Sequence, residues 1–217
     1  MPEPVAQPVN ETARIEAFSD GIFSIAATLL VLELKHPPPE LPFWSGILHM
    51  WPGYVSFVLS FFLIGIMWIN HHRLFAHIQK ADDLVMTANL MLLLGVVFVP
   101  YPTSLMGASI TMLDTNYSRN VAIFYNASYL AIGVLFNLLW FVCRRQKVLD
   151  HYLGVTNVEQ ATRQYAAGLV YYCACLAMTW WSVPLSLVMN AAMAVWFLIP
   201  PRHRTRGSRR RSRESAS

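Results

Sequence analysis

Four stretches of this chain carry no Asp, Glu, Lys or Arg at all: Leu41 to His72, Leu84 to Leu113, Asn120 to Cys143 and Gln164 to Pro201. An uncharged run of about 18 or more apolar residues is long enough to cross a hydrocarbon layer of ~30 Å as a helix. A fifth apolar run extends from Asp20 to Leu32. The last stretch is too long for one crossing. Pro184, preceded by Trp180, Trp181 and Ser182, divides it, because proline interrupts a helix and paired Trp favour the membrane interface. The expectation is an all-α membrane protein with six transmembrane helices, at about 14–34, 48–72, 84–106, 120–143, 163–182 and 184–199. Composition points the same way: 55% of the 217 residues are hydrophobic and 13% are charged, against the ~25% charged share of a soluble domain. That excludes an ordinary cytosolic globule. Twelve Phe, nine Tyr and seven Trp exclude a disordered chain, and three Cys exclude a disulfide scaffold.

Lys and Arg collect on the cytoplasmic side of membrane proteins, so they test the number of crossings independently of hydropathy. With the N-terminus inside, fourteen of the sixteen fall inside: Arg14, the loop pair Arg73 and Lys80, the group Arg144, Arg145, Lys147 and Arg163, and seven Arg of the tail. Lys35 and Arg119 remain outside. An odd number of crossings would translocate the seven-Arg tail, so both termini are expected in the cytoplasm. Residues 1–13 then form a cytoplasmic lead without the basic start of a signal peptide, 14–200 the six-helix domain, and 201–217 a basic cytoplasmic tail. Pro37, Pro38, Pro39 and Pro42 predict a stiff extended connector between the first two helices. Val148, Leu149, Tyr152 and Leu153 recur at helical spacing and predict a short amphipathic segment on the inner surface.

The first helix holds the polar residues that a bilayer should penalise most. A carboxylate inside a span costs about 2.5–3.5 kcal/mol on insertion scales, so Asp20 is expected to be paired against protein or water. At ~100° per residue from Ile25, Thr28, Leu29 and Leu32 fall near −60°, +40° and −20°, and Asp20 about 140° away. Asp20 therefore points at neighbouring helices, with Ile25, Thr28, Leu29 and Leu32 on another face. The second helix ends in Trp68, Ile69, Asn70, His71 and His72, whose donors lie at the same depth, so a cluster of Ser19, Asp20, Trp68 and His71 is geometrically allowed. Asn89 in the third helix is a further partner, since interhelical Asn contacts hold membrane bundles together. The plainer alternative is that these groups only anchor two helices at the interface.

His71, His72 and His77 lack the spacing of a zinc site, with no HExxH and no CxxC. Cys173 and Cys175 lie two apart, on opposite sides of a helix, and read as packing residues. No Walker loop, GxGxxG, Ser–His–Asp order or paired-acid motif occurs, which disfavours an enzyme, and no cofactor or metal is expected. The tail beginning Arg202-His203-Arg204 has a nucleic-acid-like composition, but beside a span it is expected to meet the anionic lipid bilayer and no nucleic acid.

Arg14-x3-Phe18-Ser19-Asp20-Gly21, Trp68-x2-His71-His72, and Asn89 with Pro100-Tyr101-Pro102-Thr103 resemble prokaryotic members of the transmembrane protein 175 potassium-channel family. The motifs appear in order across the first half of the chain; the second half matches in span number and spacing. The resemblance implies a homotetrameric potassium channel of the cell membrane without a TVGYG filter, its pore lined by the first helix of each subunit and K⁺ its permeant ion. It places a hydrophobic constriction and gate at Ile25, Leu29 and Leu32, and selectivity at Thr28 and Ser24. It makes Arg14, Ser19, Asp20, Trp68, His71 and Asn89 a structural polar network. The constriction lies on the face that the helical angles select without the family. Two rivals stay open: a proton-conducting channel of the same family, to which His71 or His72 would lend pH sensitivity, and a small secondary transporter, whose site would lie at a midplane helix break. Pro100, Pro102 and Pro184 are expected toward span ends, against the transporter. A non-catalytic scaffold would leave Asp20 and the Ile25/Leu29/Leu32 face unexplained.

Overall fold

The structure is a computed structural model and describes residues 11–78, 80–112, 115–149 and 155–198. Among these residues the chain forms eight α-helices. They are α1 (Glu11–Leu29, continued by a 3-10 turn at Leu30–Glu33), α2 (Phe43–His49), α3 (Trp51–Phe75), α4 (Asp83–Phe98), α5 (Pro100–Ser109), α6 (Asn116–Arg145), α7 (Val155–Met178) and α8 (Val183–Leu198). Only an isolated antiparallel bridge, Ile78 to Leu149, has extended pairing among the described residues. Four helical stretches, 12–33, 51–75, 83–109 and 116–145, are long and apolar enough to cross a bilayer; α8 is apolar but shorter. The first half of α7 carries Glu159, Gln160, Arg163 and Gln164, which confines its apolar part to the second half.

Local chemistry accounts for the boundaries. Asp82 caps α4, its carboxylate accepting from the Val85 N–H at 2.8 Å, and Thr115 caps α6 through the Ser118 N–H at 3.1 Å. Proline occupies the first turn of α3, α5 and α8, where its missing N–H has no intrahelical partner to lose. Thus Pro184 starts a helix. α6 ends at Lys147, whose φ of 55° lets the Val148 N–H reach back to the Cys143 carbonyl and the Lys147 N–H to that of Arg144.

Three local expectations change. The proline-rich connector is not extended throughout: after a turn it forms α2, with Gly46 packed against Pro37 so closely that a β-carbon would lie 2.9 Å from the proline ring. Val148 and Leu149 are not helical, because Leu149 pairs with Ile78; Tyr152 and Leu153 lie outside the described residues, as do residues 1–10 of the lead and the tail 201–217. Pro100 and Pro102 sit well inside the 83–109 stretch rather than toward its end. They break it into α4 and α5, since proline removes two rungs of the helical ladder. The Val96 carbonyl, which loses its rung to Pro100, accepts the Val99 N–H at 3.1 Å instead, and Thr103 bonds the Val99 carbonyl with both its N–H, at 3.2 Å, and its hydroxyl, at 2.8 Å.

α1 packs on α3 and α4, α3 on α5, α4 on α6, and α6 on α7, while α8 lies against α7 and α3. Phe23, Ala26 and Leu30 of α1 meet Leu63, Ile64, Leu92, Val96, Tyr125 and Tyr129 in one continuous core. Lipid tails are as apolar as these side chains, so close packing and interhelical hydrogen bonds hold such a bundle. Small residues allow the approach: a β-carbon on Gly107 of α5 would lie 3.2 Å from the Gly53 Cα of α3.

Candidate functional site

Helical periodicity divides α1 into two unlike faces. Ser19, Phe23, Ala26 and Leu30, spaced four, three and four apart, are buried against α3 and α4. On the other side Arg14, Phe18, Gly21, Ser24, Ile25, Thr28, Leu29 and Leu32 are all exposed, a stripe that runs the length of the helix. Ile25 is 54% and Leu32 75% exposed, although each sits in the longest apolar run of the helix. The residues expected to form a constriction therefore share an open face, and Ser24 and Thr28 flank it. The Thr28 hydroxyl donates to its own helix, to the Ile25 carbonyl at 2.9 Å, so the oxygen keeps its lone pairs for whatever passes.

Behind the stripe lies the polar cluster, in two parts. The Trp68 indole N–H donates to the half-buried Asp20 carboxylate at 2.8 Å, and the Trp68 ring stacks on His72 at 6.4 Å. Deeper, an ordered chain of donors links three helices. Asn89 gives its oxygen to His71 Nε2 at 2.9 Å and its N–H to Ser19 Oγ at 3.0 Å, and Ser19 passes its own proton to the Ile15 carbonyl at 2.8 Å. Because the Asn89 atom facing His71 is an acceptor, Nε2 must carry the proton. Nδ1 is buried without a partner, the ring held by Phe75 at 4.4 Å and Phe23 at 5.3 Å.

Arg14 departs from its expected place. It makes no hydrogen bond or ion pair with the cluster. Its Cα direction lies ~20° from that of Ile25 and ~140° from that of Ser19, which sets it on the open stripe. Phe18 joins it there, 54% exposed. The angular arithmetic that selected Ile25 sets both on this face; the resemblance, and not the angles, placed Arg14 in the network.

Two further networks escaped sequence reasoning. The Thr103 and Ser60 hydroxyls meet at 2.7 Å, and Ser60 meets the Tyr125 hydroxyl at 3.1 Å, tying α5, α3 and α6. Asn126 of α6 donates to Thr179 at 3.1 Å and accepts from Asn190 of α8 at 2.8 Å. Cys175 is buried and Cys173 exposed, as opposite sides of α7 require. Among the described residues no three His, Cys, Asp or Glu side chains gather as a metal site would need. The geometry offers an open face on α1 and a hydrogen-bonded scaffold behind it.

Residues 14–100 match the family described as "Endosomal/lysosomal potassium channel TMEM175". The chain is 37% identical over 195 residues to a potassium channel of Chamaesiphon minutus, covering 88% of this chain and 95% of that one. It is 32% identical to a potassium channel of Streptomyces collinus, covering 87% and 92%. The chain belongs to the TMEM175 family. Its fold superposes with a TM-score of 0.76 on the crystal structure of a lysosomal potassium-selective channel TMEM175 homolog from Chamaesiphon minutus, at 36% identity and covering 88% of this chain and 98% of that one. An animal relative, the endosomal/lysosomal proton channel TMEM175 of Mus musculus, matches at 35% over 96 residues, 40% of this chain and 19% of its own length. The family is one of ion channels and not of enzymes.

Proposed function

We propose that the chain is one subunit of a homotetrameric, potassium-selective channel of the cell membrane, with α1 of four copies surrounding the ion path. One observation carries this: α1 is buried on one side and leaves Ile25, Leu29 and Leu32 open on the other, so this apolar face has no partner among the described residues. Four such faces around an axis form stacked rings of Ile and Leu. A ring of this kind closes by dewetting and opens by widening, and an ion crosses it by giving up part of its water shell. Potassium holds that shell less tightly than sodium, so it passes more readily, and the Thr28 and Ser24 oxygens compensate beside the constriction. No TVGYG string exists to supply a carbonyl filter. The names of the bacterial relatives support the choice of ion.

In this reading α7 and α8 complete six crossings within residues 14–200, both ends of the chain are cytoplasmic, and the basic tail meets anionic lipid. The partition of fourteen basic residues to one side supports that orientation. The Asp20 and Asn89 networks hold α1 in register and do not touch the ion. Replacement of Ile25 by Asn tests the proposal: in liposomes the variant should conduct more and discriminate less between K⁺ and Na⁺. Unchanged current and reversal potential would remove Ile25 from the pore.

Proton conduction through the same pore is the second reading, favoured by the name of the animal relatives. A reversal potential that follows an imposed pH gradient, and not the K⁺ gradient, would select it. The α4/α5 break lies inside a crossing, where a transporter's site would be expected, but the Val96 carbonyl that Pro100 frees already accepts the Val99 N–H at 3.1 Å.

A further inference from the structure

The ion path uses α1, yet an apolar recess lies elsewhere, between α3, α6, α7 and α8. This cavity holds about 550 Å³, within the range of small-molecule sites. Met67, Phe136, Tyr172 and Met193 form its walls. Gly133 and Gly168 line it without side chains; a β-carbon on Gly168 would meet nothing within 4 Å. The side-chain amides gather at one end, while the Tyr171 hydroxyl, bonded to the Met189 carbonyl at 2.6 Å, and Tyr172 lie farther along α7. Asn70 and Gln164 make no hydrogen bond there, and Asn137 commits its N–H to the Gly133 and Tyr165 carbonyls at 2.8 and 3.3 Å, leaving its oxygen free. Asn70 precedes Arg73 at the end of α3, Asn137 precedes Arg144 and Arg145 at the end of α6, and Gln164 follows Arg163. Arg144 reaches across to the Thr162 hydroxyl at 3.3 Å, which brings its guanidinium within two residues of Gln164. Glu159 pairs with Arg163 at 4.0 Å and leaves the other arginines without a carboxylate partner among the described residues.

We infer that this cavity is a binding site for an anionic phospholipid of the leaflet on the basic side. One acyl chain lies between Phe136 and Met193, and the phosphate meets Arg144 and Arg163. An apolar recess whose uncommitted amides stand beside arginines matches an amphiphile with a negative head, and neither a soluble anion nor a neutral oil satisfies both ends.

Native mass spectrometry of the full-length oligomer tests this, after delipidation and re-addition of phosphatidylglycerol or phosphatidylcholine. The wild type should retain phosphatidylglycerol in preference. Gly168→Phe fills the recess from a position with room for it, and should cut retention about tenfold while the oligomer mass stays the same. A double variant, Arg144→Gln with Arg163→Gln, should erase the preference between the two lipids. The inference is overturned if the wild type retains neither lipid, if Gly168→Phe retains as much as the wild type, or if the occupant is a free fatty acid. Dissociation of the Gly168→Phe oligomer would assign the recess to a neighbouring copy and overturn it equally.

Discussion

Ser19, Asn89 and His71 join α1, α3 and α4 much as Asn126, Thr179 and Asn190 join α6, α7 and α8, yet the two networks end differently. In the second, every member also bonds back to its own helix: Asn126 to the Ala122 carbonyl, Asn190 to that of Ser186, and Thr179 to that of Cys175. Each amide nitrogen and the Thr179 hydroxyl keep a partner if a neighbour is lost, although the Asn190 oxygen is buried without one. In the first, Asn89 is the sole partner of His71 Nε2 and bonds nothing on its own helix. The second is redundant glue; the first is a chain that fails at one link. It is also the one that lies against the back of the open α1 face, and it falls within the residues that match the family.

The contrast breaks most clearly at its two Asn residues. Asn89→Leu leaves a buried His71 N–H and takes a donor from Ser19, at an expected cost of about 2–4 kcal/mol, read as lower thermal stability of the detergent-solubilised protein. Asp20→Ala should cost less, about 1–2 kcal/mol, because the indole of Trp68 is partly exposed and finds other acceptors; its readout is reduced recovery of the oligomer. An intact oligomer with altered ion preference would instead place Asp20 in the ion path. Asn126→Leu should cost least, about 0.6–1.7 kcal/mol, with K⁺ over Na⁺ preference unchanged in liposome flux. A larger loss for Asn126→Leu than for Asn89→Leu would reverse the comparison.

The helices were legible because a bilayer excludes charge, and charge-free runs survive in one dimension. The α1 faces were legible too, since periodicity is a local property: Asp20 points inward to Trp68 and Ile25 outward, as the angles require. Register between helices is not local. Nothing in the spacing of Asn126, Thr179 and Asn190 reveals that three distant helices bring them within hydrogen-bonding distance. Prolines misled in both directions. The run around Pro37 looked too stiff for a helix, yet α2 follows it directly. Pro100 looked terminal, yet it interrupts a crossing, and the Val96 carbonyl it frees turns to the Val99 N–H.

The ordered chain from His71 through Asn89 and Ser19 to Ile15 has one more property. A proton wire needs every link to take a proton on one side and release one on the other. The Asn89 side chain accepts at its oxygen and donates from its nitrogen, two atoms that do not exchange roles, and the Ile15 carbonyl has no proton to hand on. The network can stiffen α1, but it is an insulator: in the proposed channel a proton would take the open face of α1 and not this chain of donors.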